Sequence, residues 1–463
     1  MALSNAIASS KSVGFAAALE TVEGELAYPV AADRIAVNSS VTISQVRGTT
    51  DSEEKTESLD ILYQFMDAKS PASWAAEFYT RTAGTANTES TVGIPQGDAL
   101  LHALFGRVLS ASGMTLTSAI DDVQTTIQYQ NLEGEIPNEG YIKVEDELIY
   151  YGQVTRTSDS AGTFSQCTRG AGETVAASHV IDTAVGMWSR TYALSTETPS
   201  VSIWSKTNFL HQYLMGATPN TATFEVANSG GAKVSMGGEG SLMDLMGPHT
   251  VKTAVIAGAT TYTANEAGQV AAGFLVQNKT KADDNNGAGY TIIDVDETTG
   301  AVTLSSGVIK DWAVDDLIEP FLVDFTPINV PLEGRHTSLR IGGVPMKVKN
   351  TSVTINVPKD YIGDIIEQDY PDERVNGTRS ITMNITLYLR RSMVALFRQA
   401  TEGKEEEFEI TFGQGIGNQF VLTCPRGKYS APTLSEDGNT VVMQLSVTML
   451  GTKGEDSITA RCE

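Results

Sequence analysis

The 463-residue chain is predicted to be mainly β, with two tandem β-barrel or sandwich domains, each carrying one short packed helix, and two small inserted β modules. Three observations predict this. One β-rich pattern occurs twice, alternating strands outnumber helical stretches, and the length exceeds what a single core can hold. The first copy of the pattern is Asn208–Leu242 (NFLHQYLMGATPNTATFEVANSGGAKVSMGGEGSL) and the second is Gly417–Gly451 (GNQFVLTCPRGKYSAPTLSEDGNTVVMQLSVTMLG). Each sets a Gln before an aromatic residue, then an apolar strand, a turn, another strand, a Gly-centred hairpin and a long closing strand. Upstream of each lies a further strand, Ser73–Arg81 (SWAAEFYTR) or Ser380–Leu389 (SITMNITLYL), followed by a short helical segment.

Taken in order, residues 1–37 mix Gly, Ala and small polar residues with two apolar stretches and read as an extended arm. Val41–Gln45 reads as a strand, and the polar run Thr49–Ser58 (TTDSEEKTES) after it as a solvated loop. Ser58–Ala68 (SLDILYQFMDA) spaces Leu59, Leu62, Tyr63 and Met66 as a helix would. Ser73–Arg81 alternates Trp74, Ala76, Phe78 and Thr80 against Ala75, Glu77 and Tyr79, the mark of a strand covered on one face. Gly97–Leu109 (GDALLHALFGRVL) is expected to be a helix, with Asp98 placed to complement the N-terminal dipole.

The second copy repeats this order. Thr351–Val357 is an alternating strand, Pro358–Asn376 a long polar loop containing Pro371, and Ser380–Leu389 a strand. Ser392–Thr401 (SMVALFRQAT) is a helix, followed by strands at Phe408–Phe412, Phe420–Thr423 and Thr440–Leu450. Gly134–Trp188 and Val251–Phe321 have no counterpart in the other copy and read as all-β insertions. The expected division is an arm at 1–37, a first domain at 38–133 and 189–250, insertions at 134–188 and 251–322, and a second domain at 323–463.

The formal net charge is −24. That argues against binding the outside of DNA, where basic charge must displace counterions, but not against surrounding it, since an acidic wall repels phosphates. Cys167, Cys424 and Cys462 lie far apart with no CxxC spacing, so neither a disulfide framework nor a zinc site is expected. The opening MALSNAIASSKSVGFAAALETVEGE lacks the basic-then-apolar order of a secretory signal, and no run is long enough to span a membrane. A soluble protein made in a cytoplasm is expected.

Several residue groups invite a chemical reading, and each has a plainer one. Asp294, Asp296 and Gly300 (DVDETTG) resemble a calcium loop, but the Gly falls seventh rather than sixth and Ser305 holds the twelfth place, so a hairpin turn is expected. Gly413–Gly417 (GQGIG) lacks the helix and Lys of a phosphate loop and reads as a turn. The carboxylates Asp364, Glu367, Asp369, Asp372 and Glu373, and the run Glu405–Glu407, read as solvated surface or interface rim rather than a glycosidase pair. His102, His179, His211, His249 and His336 show no metal-binding spacing; His102 is expected at a core edge, and His211 hydrogen-bonded at a strand start. Trp74, Trp188, Trp204 and Trp312 read as core rather than a sugar platform. No catalytic, cofactor or metal residues are assigned.

The strand PSVSIW at Pro199–Trp204, the HQY entry and ATFEVANSGGAKVSMGGEGSL together resemble the tail tube proteins of long-tailed, siphovirus-type bacteriophages. The C-terminal run is similar to that family's closing strands and helix, through RSITMNITLYL, SMVALFRQATEGKEEEF and EITFGQGIGNQFVLTCPRGKYSAPTLSEDGNTVVMQLSVTML. The chain departs where the family's "G-C" position is Ala217–Thr218, and where glycines enter Met236–Leu242.

The resemblance implies a virion structural subunit without chemistry or cofactors, self-assembling into stacked rings that form a conduit for genome ejection. Duplication implies three chains per ring with pseudo-sixfold symmetry, and contacts to other rings through Met1–Val37, Thr49–Ser58 and Pro358–Asn376. The implied partners are further copies of the chain, a tape measure protein, double-stranded DNA in the lumen, and tail terminator and baseplate-side proteins. The insertions are expected to project outward, where they could meet host glycans. A competing reading is a carbohydrate-binding adhesin or receptor-binding virion protein, which should show repeated aromatic binding faces. An enzyme should show convergent acid–base or nucleophile spacing. The sequence displays neither.

Overall fold

The structure, a computed structural model, describes residues 13–463 apart from 40, 56–59, 85–92, 282–284, 286–287, 326–328 and 364. Strands make up 50% of it and helices 8%, so the mainly β class is right. An 18-stranded antiparallel sheet system dominates. Its first part runs Thr42–Ser44, Ala72–Tyr79, Lys233–Gly240, Leu210–Ala227 in pairing order. A second run is Val348–Asn356, Ser380–Tyr388, Thr440–Leu450, Gln419–Tyr429. In the second run the place that the long strand Leu210–Ala227 holds in the first is shared by two strands, Gln419–Tyr429 and then Thr433–Asp437, both paired with Thr440–Leu450.

Alternation drives these strands. Ala72–Tyr79 buries Ala72, Trp74, Ala76 and Phe78 and turns Ser73 and Ala75 outward, while Ser380–Tyr388 buries Ile381, Met383, Ile385 and Leu387. Each buried aliphatic side chain is worth about 2 kcal/mol relative to exposure. The expected helix at Gly97–Leu109 is shorter than its pattern and occupies Asp98–Phe105. Gly106 stops it at φ +99°, its N–H donating to the His102 carbonyl, and a Cβ there would lie 2.6 Å from the Glu197 carbonyl oxygen. The chain then continues as the strand Gly106–Leu109. A second α-helix among the described residues is Val394–Thr401.

The two runs share one core, in which Phe224 stacks on Phe420 at 5.4 Å. Leu210–Ala227 pairs with Val348–Asn356 on one side of the join. On the other, Thr459–Cys462 lies between Arg190–Leu194 and Gln419–Tyr429. A second core gathers Val251 to Ile318 around Trp312 and reaches Trp204, Tyr213 and Met246 of the main sheet. A third extends from Met114 to Met187, so it draws on residues upstream of 134.

Three expectations are corrected. Val13–Leu19 of the supposed arm is a strand paired along its length with Val201–Thr207, and Phe15 to Ala18 are buried. Glu20 locks it, accepting hydrogen bonds from Ser200 Oγ (2.6 Å), Ser202 Oγ (2.7 Å) and the amides of Gly24 and Gly216 (2.8 Å each). Residues 1–12 of that arm lie outside the described residues. Ser58–Ala68 is not a helix: 56–59 are outside the described residues, and Gln64–Lys69 is a strand paired with Arg47–Asp51. Within Pro358–Asn376 the chain forms a second hairpin, Lys359–Ile362 with Glu373–Asn376, rather than a plain loop.

Candidate functional site

The two hairpins are the most unusual surface of the molecule. In the first, Thr49 faces Met66 and Thr50 faces Phe65, with a bulge between Arg47 and Thr49. All five residues of Arg47–Asp51 are exposed, so neither face of this ribbon is packed. An isolated two-stranded ribbon is marginal in water, yet this one carries Ile61, Leu62, Tyr63, Phe65 and Met66 at 57–76% exposure. Large apolar side chains on a protein surface ordinarily occur singly, so this stretch is a candidate contact surface. The second hairpin presents Ile365, Ile366 and Val375 to solvent, with Ile366 90% exposed.

The hairpins meet. The Lys69 amide donates to the Asp369 carbonyl at 2.8 Å, and Arg47 pairs with the Asp369 carboxylate. Val46, Lys69, Pro71 and Tyr361 help to line a shallow cleft of about 560 Å³ between them. Tyr361 anchors the second hairpin to the sheet by donating to the Gly216 carbonyl at 2.6 Å, and burial pushes its hydroxyl pKa up to about 12.

The residues singled out in the sequence do not converge on one centre. Asp296 caps its own turn, accepting from Thr298 N (2.9 Å) and Thr299 Oγ1 (2.7 Å), while Asp294 sits in the strand opposite Thr303. Gly300 follows at φ +74°. Gly413, Gly415 and Gly417 make the turn between Glu405–Gly413 and Gln419–Tyr429, all at positive φ. Of the acidic run, Glu367, Asp369 and Asp372 lie in the second hairpin's connection, Glu373 opens its return strand opposite Ile362, and Asp364 lies outside the described residues. Glu405 pairs with Arg426 at 3.7 Å and Glu406 with Lys404. All four tryptophans are buried, and Trp204 donates to the Ala27 carbonyl at 2.9 Å. The three cysteines are buried and unbridged.

The histidines part company. His336 is exposed and His102 is half-buried on the first helix, whose surroundings lower its pKa chiefly by desolvation. His211 stands at the start of its strand, as expected, and is buried with Nε2 lacking a partner. His249 meets the Tyr262 hydroxyl at 2.6 Å. His179 is the one that sequence spacing missed as part of a cluster. Its ring nitrogens lie 2.9 Å from Glu145 and 2.8 Å from Glu147, and Glu147 also takes Arg169 through two 2.7 Å bonds. Burial alone would raise the Glu147 carboxyl, but Arg169, His179 and the Ala177 and Gly170 amides hold it at about 2. This cluster ties the turn after Gly140–Val144 to the 169–179 segment, and both Glu147 oxygens are taken, by Arg169, His179 and the Gly170 and Ala177 amides. It is structural.

Among the described residues no group of three or more His, Cys, Asp or Glu is arranged to hold a metal ion, and no helix is long and apolar enough to cross a membrane. No protein-family profile matches the chain, and comparison with curated proteins finds no significant relative.

Proposed function

We propose that the chain is a structural subunit of a bacteriophage-type tail tube, assembling into stacked rings of three copies with pseudo-sixfold symmetry. The observation that carries this reading is the repeated strand order. Each run begins with a strand, sends out an exposed hairpin, returns as a strand, makes a helix, and closes with a strand pair. Inside the chain the first run's Leu210–Ala227 pairs with the second run's opening strand, Val348–Asn356. The positions equivalent to these two are Thr433–Asp437 and Thr42–Ser44, and among the described pairings each has a partner on one side only. Pairing Thr433–Asp437 of one copy with Thr42–Ser44 of the next repeats the internal seam and removes both free edges.

Such a ring needs no catalyst or cofactor. The projecting hairpins, at 47–69 and 359–376, would meet copies in the neighbouring ring, and their exposed Phe65, Met66 and Ile366 would be buried there. The duplex and a tape measure protein would occupy the lumen without base-specific contacts, and terminator and baseplate-side proteins would close the ends. The net charge of −24 suits a wall that does not hold phosphates.

Negative-stain electron microscopy of concentrated protein, with its mass in solution, tests this. Hollow tubes or rings of three chains are expected. A chain that remains monomeric at every concentration, or a lumen wall that is net basic, would overturn the proposal.

A further inference from the structure

The two exposed hairpins correspond residue by residue. The first pairs Arg47 with Lys69, three residues after Ser44 and four before Ser73, and Ser44 stands opposite Ser73. The second pairs Lys359 with Asn376, three residues after Asn356 and four before Ser380, and Asn356 stands opposite Ser380. Equal offsets on both sides match Lys69 with Asn376 and, two residues earlier, Asp67 with Arg374.

The second hairpin rests on a platform in its own chain. Arg374 Nη2 donates to the Thr198 carbonyl (2.6 Å), Asn376 Nδ2 to the Thr196 carbonyl (2.9 Å), and Arg379 Nη2 to the Ser195 carbonyl. Glu197, the remaining member of that segment, lines one cavity with Arg374 and Asn376. The platform belongs to the first run and the hairpin to the second, so the contact crosses the internal seam. The first hairpin's described polar contacts beyond its own strands go instead to Asp369 of the second hairpin.

The matching platform in the second run is exposed. Ala217 lies five residues after Gln212 and opposite Val201, and Cys424 lies five after Gln419 and opposite Phe408. Counting back from Val201 and Phe408 matches Ser195–Thr198 with residues 402–405. Thr198 is buried, whereas Glu402, Lys404 and Glu405 are exposed. The signs are exchanged as well: where the second hairpin and its platform have Arg374 and Glu197, the matching places hold Asp67 and Lys404. Asp67 is exposed, and Lys404 keeps half of its side-chain surface open while pairing with Glu406.

We propose that the base of the first hairpin docks on residues 402–405 of a second copy, with Asp67 of one chain against Lys404 of the next. The contact repeats between copies what the second hairpin does within one, as a head-to-tail ring requires. Opposite charges at its centre fix partner and register. This docking rests on the ring arrangement proposed above. Ile61, Leu62 and Tyr63, farther from the base and exposed, stay available to the neighbouring ring.

The test joins Lys69→Cys and Lys404→Cys in one chain, treats the concentrated protein with a short bis-maleimide and runs it on a denaturing gel; the native cysteines are buried. Bands of two and three chains are expected, and none from either single variant. Separately, Asp67→Lys or Lys404→Asp alone should weaken association in sedimentation velocity by roughly tenfold, and the two combined should restore it. A mere loss of the Thr50–Asp67 hydrogen bond (2.8 Å) would not be repaired by changing Lys404. Rings or tubes in electron micrographs without cross-linked bands overturn this docking and leave the ring reading standing. Rings, tubes and bands all absent overturn both. A charge-exchanged double variant that associates no better than either single variant also overturns the docking.

Discussion

At the scale of single residues, two buried histidines are expected to contribute to the response to acid. Burial holds His211 down at about 3 and His249 at about 4, against 6.5 for the free side chain. The unfolded chain therefore takes up two protons below pH 6.5 that the native chain refuses. Unfolding free energy rises with pH wherever the unfolded state binds more protons, by about 1.4 kcal/mol per pH unit for each such group, and so is lost as pH falls. Stability is expected to drop from pH 6.5 towards about 4, and not to change through these groups above 6.5. Carboxyls raised by burial, such as Asp244 and Glu463, act in the opposite sense, so the comparison must be between native and variant. Urea midpoints for His211→Asn should lose roughly half of the histidine contribution to the slope. An identical slope in the two proteins would mean that His211 titrates freely.

At the scale of elements, the hairpin at 47–69 is where sequence and structure diverge most, and the reason bears on function. Strand periodicity is readable only when one face is buried, as in Ala72–Tyr79, whose alternation of Trp74, Ala76 and Phe78 is plain. Gln64–Lys69 has no buried face within the chain, so nothing imposes a period of two. Its apolar residues sit by chance at helical spacing. Val13–Leu19 was hidden differently: GFAAA is too small and uniform to show a pattern, and only its partner strand defines it. The His179 cluster required closure between residues 32 and 34 positions apart, beyond any local motif. The unread hairpin makes its own prediction. Phe65→Ser with Met66→Ser should leave the monomer's stability within about 0.5 kcal/mol, because both side chains are exposed. Assembly should weaken by roughly 2 kcal/mol for each side chain that is buried on association, about thirtyfold apiece. Sedimentation velocity across a concentration series reads this directly. Unaltered association would remove the hairpin from the interface.

At the scale of the whole molecule, the duplicated strand order was legible because its signals are local: two strand–helix–strand successions and two Gly-centred hairpins. The shared core was not, since it depends on Leu210–Ala227 finding Val348–Asn356 across more than a hundred residues. That same internal seam defines what assembly must do. If copies join by repeating it, the amides of Thr433–Asp437 and Thr42–Ser44 pass from one-sided to two-sided pairing, while those of the internal seam stay as they are. Hydrogen exchange on polymerised against dilute protein should therefore show new protection at both edge segments and none at Thr351–Asn356. Salt gives an independent check, because copies carrying −24 each repel, and a Debye length that shrinks to about 8 Å at physiological ionic strength screens the approach but not the ladder. Association should accelerate with salt while the exchange pattern remains fixed. Protection confined to the hairpins, with both edges still exchanging freely in the polymer, would leave stacking intact as an idea and refute the seam as the means of ring closure.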